Sequence, residues 1–176
     1  MQILTIGHST RTAREFLGLL RAHDIRQLAD VRTVPRSARH PHFSRERLVP
    51  LLERSGIRYR HFPSLGGFRR PRPDSPNLAW RHPAFRGYAD YMLTEPFHEA
   101  VDELCAFATP DRTVLMCAEA LWWRCHRQLV ADALVVRGIE VCHIESRHMV
   151  NSHTLNKFAR VEGGRLIYPG LFADGT

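Results

Sequence analysis

The chain alternates compact apolar runs with amphipathic segments along most of its length. The runs are QILTIG (2–7), IRQLADV (25–31), GIRYRHF (56–62), RTVLMC (112–117) and IEVCHI (139–144). Segments of helical character lie between them. Thr12 and Glu15 have capping-box spacing ahead of Phe16, Leu17, Leu19 and Leu20. Ser44 precedes Leu48, Leu51 and Leu52, with Pro50 inside the segment as a source of a kink or a late start and Gly56 as a stop. Residues 83–107 predict a helix broken near Pro96 with Thr94 as a cap, and 125–138 a helix ending at Gly138. Alternation of this kind predicts an α/β fold. We expect one three-layer domain over 1–176, with a mostly parallel sheet of about five strands flanked by helices. A C-terminal hairpin should turn at Gly163–Gly164.

That architecture turns chain order into a spatial expectation. In open parallel sheets, ligands bind beyond the carboxyl ends of the strands. Five segments should therefore converge: 7–10, 30–44, 63–70, 117–127 and 145–153. They are rich in Arg, His, Ser, Cys and Glu. The stretch 63–82 has no periodicity, and loops of that length are usually functional or mobile.

Charge is concentrated rather than spread. Between Arg32 and Arg86 there are thirteen arginines against Glu46, Glu53 and Asp74, a local charge of +10 in a chain of net +7. A genome whose codons favour arginine is one reading of a chain in which Lys157 is the sole lysine, but it does not explain the clustering. A basic face attracts polyanions, and the arginine fork suits phosphate. Nucleic acid or a phosphorylated ligand is the expected partner. No apolar run approaches the length of a membrane span, and the N-terminus has no signal-peptide pattern. Both point to the cytoplasm, where cysteines stay reduced. Nothing in the sequence names a cofactor or an oligomeric state.

The motifs TIGHST, DVRTVPRS, LGG, MCAEALWWRCHR followed by LVADAL, and IYPG together resemble the domain of unknown function 488 (DUF488) family from Ile3 to Gly170. The resemblance implies an α/β fold and brings no reaction, so the chemistry is argued from residues.

Cys117 should end the fourth strand and Cys125 should open the next helix, whose N-terminus favours a thiolate. Arg124, His126 and Arg127 would act in the same sense. The alternative is that Cys125 packs inward with Leu129 and Ala133. A phosphatase-like cradle needs small residues around the phosphate, and Leu121, Trp122 and Trp123 are bulky. Zinc would need Cys117, Cys125, His126 and His8 together, and Cys-x7-Cys is not a familiar zinc spacing; no metal ligands are assigned. Cys105 and Cys142 read as core.

Glu119 is either a partner of Arg32 or Arg127 or a general acid/base, and Asp30 invites the same two roles. The candidate catalytic residues are thus His8, Asp30, Glu119 and Cys125. Ser9, Arg32, Arg36, Ser37, Arg69, Arg124, His126 and Arg127 are candidates for anion binding. Trp80, Trp122, Trp123, Phe43 and Phe68 could stack bases or cover the sheet end. Three functions follow: an enzyme acting on nucleic acid or a nucleotide-like phosphorylated substrate, a thiol- or metal-dependent protein using Cys117 and Cys125, and a non-catalytic nucleic-acid-binding module.

Overall fold

A computed structural model describes residues 1–170. The strands are β1 Gln2–Gly7, β2 Gln27–Asp30, β3 Arg58–His61, β4 Thr113–Cys117, β5 Glu140–Ile144, β6 Val150–Ser152, β7 Arg160–Glu162 and β8 Arg165–Ile167. The helices are α1 Ala13–Ala22, α2 Arg45–Arg54, α3 Pro83–Tyr91, α4 Glu95–Ala108 and α5 Arg127–Val136. A six-stranded sheet has the order β3-β2-β4-β1-β5-β6, parallel except for β6, and β7 and β8 form a separate antiparallel hairpin. The hairpin turns at Gly163 and Gly164, both with positive φ, as a two-residue turn of this hand requires.

Side chains alternate across the sheet and divide the core. Leu4, Ile6, Leu28, Val114 and Met116 pack against α1 and α2. Ile3, Ala29, Val31, Leu115, Cys117 and Val141 pack against α3, α4 and α5. Each fully buried Leu or Ile contributes about 1.5–3 kcal/mol. Neighbouring strands β1 and β4 lead into helices on opposite faces, α1 and α5. A crevice opens where connections diverge in this way.

The local signals act unevenly. Thr12 and Glu15 form the reciprocal capping box. Ser44 and Thr94 hold the N-cap positions of α2 and α4, but neither side chain caps. Ser44 Oγ instead accepts from Ser37 N, and Thr94 Oγ1 donates to Tyr91 O. Pro50 neither delays nor interrupts α2, which runs from Arg45 through it. The 145–153 segment is not a crevice loop, because Val150–Ser152 pairs with β5 and extends the sheet.

The long 63–82 stretch is pinned. Buried Asp90 of α3 accepts from Arg72 N at 2.8 Å, from Asn77 Nδ2 at 2.8 Å and from Ser75 Oγ. Asn77 Oδ1 in turn accepts from Tyr168 N. At Gly87 an added methyl group would lie 2.2 Å from Arg69 O, so only glycine lets this stretch lie against α3. Tyr168 donates to Asp132 Oδ2 at 2.7 Å, which anchors the IYPG segment to α5.

Candidate active site

A cavity of about 720 Å³ opens beyond the carboxyl ends of β2 and β4. Its lining includes Cys117 and Cys125, Arg36 and Arg124, Glu119 and His126, and a largely apolar wall of Val34, Phe68, Phe85, Tyr88 and Trp123.

The polypeptide reaches this arrangement through a close approach. His8 N and Ser9 N donate to Cys117 O and Ala118 O at 2.9 and 3.0 Å, continuing the β1–β4 ladder past the strands. A methyl group on Gly7 would lie 1.8 Å from Glu119 O. Glycine is required here for approach, not for an unusual backbone angle. A short 3-10 turn, Trp122–Arg124, follows. Cys125 terminates that turn in extended conformation and His126 is the N-cap of α5. Cys125 thus lies just ahead of the helix rather than in its first turn.

The sulfurs of Cys117 and Cys125 lie 3.0 Å apart, and all four cysteines are free. His126 Nε2 lies 3.0 Å from Val31 O. A carbonyl can only accept, so Nε2 carries the hydrogen. In the neutral ring this leaves Nδ1, 3.5 Å from Cys125 Sγ, as the acceptor. The shared hydrogen bond with Cys117 holds the Cys125 thiol well below the usual thiol range; His126 and Arg127 act in the same direction, against burial. Burial pushes the Cys117 thiol well up, and its bond to Cys125 adds to this. With Cys125 protonated, Cys117 can donate to Glu119 O, 3.5 Å away. With Cys125 ionised, the same proton turns to the thiolate. Cys105 and Cys142 pack with the core, and burial raises both thiols.

The remaining sequence candidates separate. Arg36, Glu119, Arg124, Cys125 and His126 line the cavity. Arg32 borders it, but its guanidinium is committed to Asp30 through Nε at 2.9 Å and Nη2 at 2.6 Å and to Phe43 O at 2.9 Å. Asp30 is buried, bonds Tyr59 OH and Arg32 N as well, and has no place on the cavity wall. Asp30 and Glu119 are therefore not a carboxylate pair. Glu119 pairs with neither arginine; its Oε1 accepts from Leu121 N at 3.3 Å. Arg127 is fully buried and donates to Glu119 O, Ala120 O and Thr5 Oγ1, bracing the 119–120 turn rather than offering an anion site.

His8 sits outside the cavity lining, stacked on Phe43 with ring centroids 4.4 Å apart. Its Nδ1 lies 3.0 Å from Ser9 O, and its Nε2 is buried without a partner among the described residues. Burial brings its pKa down to about 4. Ser9 has positive φ and is not the cap of α1, which is Thr12. Ser37 Oγ accepts from His40 N. Arg69 lies 3.7 Å over the Tyr91 ring and bonds Gly66 O and Ser64 O. None of these three lines the cavity. Trp122 covers the sheet end, stacked at 4.2 Å on His143, whereas Trp123 faces the cavity. Among the described residues no three His, Cys, Asp or Glu side chains are grouped to hold a metal ion.

Sequence reasoning missed the α3 side of the cavity. His82, Phe85 and Tyr88 carried no motif, and the close approach at Gly87 was the only available signal. A family model described as Domain of unknown function DUF488 matches residues 12–134, most of the chain, including Cys117 and Cys125. The protein belongs to the DUF488 family. The matched region holds β2 to β4, the cavity walls and most of α5, whereas β5, β6 and the hairpin lie beyond it. No curated protein and no solved structure matches the chain. No helix among the described residues is long and apolar enough to cross a membrane.

Proposed function

We propose that this DUF488 protein is a dithiol oxidoreductase, with Cys125 as nucleophile and Cys117 as resolving thiol. The observation that carries it is the sulfur pair at 3.0 Å on a cavity wall, with the two thiols shifted in opposite directions. The second thiol supports the Cys125 thiolate by hydrogen bonding, and it can also resolve a mixed disulfide, because closing to a disulfide length of about 2.05 Å takes only a small movement. His126 Nδ1 takes the Cys125 proton. The thiolate attacks one sulfur of a substrate disulfide, giving a mixed disulfide and releasing a thiolate that recovers the proton. Cys117 then loses its proton and attacks Cys125 Sγ. The second substrate sulfur leaves as a thiol, and Cys117–Cys125 becomes a disulfide. Two electrons have passed to the substrate, and an external thiol reductant restores the pair.

Alkylation with limiting iodoacetamide at pH 7, followed by peptide mapping, tests the assignment. Cys125 is expected to label first, and mild oxidation should join Cys117 to Cys125. Four equally slow thiols, with no disulfide between these two, would overturn it.

A second function, binding of nucleic acid or another polyanion, is favoured by the arginine cluster. Arg39, Arg70 and Arg81 are exposed, and their side chains have no partner among the described residues. Steep loss of binding with salt is the expected result; no binding of single- or double-stranded DNA or RNA at low salt would eliminate it.

A further inference from the structure

The cavity carries more information than its sulfurs. Phe68 is 92% exposed on its rim and holds φ +59, a conformation rare for a bulky residue. Strain of this kind recurs at ligand clamps. Trp123, also exposed, lines the same cavity. The guanidinium groups of Arg36 and Arg124 are exposed and have no partner among the described residues, unlike those of Arg32, Arg69 and Arg127. Among the described residues the one carboxylate on the wall is that of Glu119, and it is engaged with backbone. The volume falls in the usual range for small-molecule sites.

We infer that the cavity takes a low-molecular-weight disulfide bearing a flat ring and a negative charge, the ring against Trp123 and Phe68 and the anion at Arg36 and Arg124. This substrate class rests on the dithiol assignment. The chemistry is the exchange already described: the substrate S–S bond breaks, the Cys117–Cys125 bond forms, and a thiol reductant returns the electrons.

Two chromogenic aromatic disulfides separate charge from ring: the dianionic disulfide of nitrothiobenzoate and the neutral disulfide of pyridinethiol. Pre-reduced protein is mixed with each in single-turnover stopped flow, and the ratio of the two rate constants is followed. Arg36→Ala with Arg124→Ala is expected to lower the anionic-to-neutral ratio by about tenfold or more. Arg14→Ala, which removes an exposed charge away from the cavity, should leave the ratio unchanged. Trp123→Ala and Phe68→Ala should slow both aromatic probes relative to the disulfide of mercaptopropionate. If both probes react at Cys125 and release two thiols per protein, with a ratio indifferent to the two arginines, the substrate class is wrong and the dithiol assignment stands; release of one thiol only overturns both. If neither reacts faster than with Cys125→Ser protein, both are wrong.

Discussion

Replacing Asp30 by alanine separates a structural carboxylate from a catalytic one. Asp30 is 0% exposed and Arg32 5%. The carboxylate accepts four bonds: Arg32 N at 3.1 Å, Nε at 2.9 Å, Nη2 at 2.6 Å and Tyr59 OH at 2.7 Å. Alanine would leave a buried guanidinium holding only Phe43 O, with the tyrosine hydroxyl and a backbone N–H stranded. Breaking one side of a buried ion pair costs about 3–5 kcal/mol, much of a typical total of about 5–15 kcal/mol. For a chain of this size that lowers Tm by roughly 10 °C. Urea unfolding should show an earlier midpoint at unchanged slope. The pair Asp30→Leu with Arg32→Met should recover part of the loss, because it removes both buried charges. Asp30→Ala protein within about 1 kcal/mol of wild type would refute the argument and return Asp30 to the catalytic candidates.

His8 has a pKa lowered by burial from 6.5 to about 4, so the folded protein holds it neutral. A depressed folded pKa gives stability that is complete above 6.5 and lost as pH falls towards 4; the loss is up to about 1.4 kcal/mol per pH unit. His8→Phe should flatten that part of the curve in urea titrations from pH 7 to 4. Burial, then His153 and Arg127, lower His143 to about 3, so some acid sensitivity should survive in that variant. Gly7→Ala puts a methyl group 1.8 Å from Glu119 O; the 117–120 turn must shift, and both Tm and the alkylation rate of Cys125 should fall. His126→Phe keeps the ring but removes the acceptor at Nδ1, and should slow Cys125 alkylation at pH 7 while leaving much less effect at pH 10.

The central strands were legible because buried parallel strands are short, continuous apolar runs with turn signals at their ends. β6 was not legible: Val150, Asn151 and Ser152 are all exposed, so no apolar alternation marks them. The site was legible as a set of segments but not as a set of contacts. Asp30 lies in register with Leu28 on the α1–α2 side, and Cys117 with Leu115 on the α3–α5 side. Alternation alone parts the two, yet nothing in the sequence says which face holds which helices. Arg32, Arg69 and Arg127 look alike as sequence, and each is consumed by a different partner: a carboxylate, a tyrosine ring and carbonyl oxygens.

The opposition between a core cysteine and a crevice cysteine dissolves at Cys125. It is buried in the cluster that contains Leu129 and Tyr88, and it also lines the cavity. Burial alone raises a thiol pKa, as it does for Cys105, Cys117 and Cys142. Cys125 moves the other way because Cys117 can donate to its thiolate across 3.0 Å, and because His126, fixed by Val31 O, donates back from Nδ1 once it has taken the proton. The low-dielectric setting that disfavours an isolated thiolate strengthens those hydrogen bonds. The two structural requirements are therefore one arrangement: Cys125 must pack inward to meet Cys117 and His126, and it must end the 3-10 turn just before α5 for its sulfur to reach the cavity.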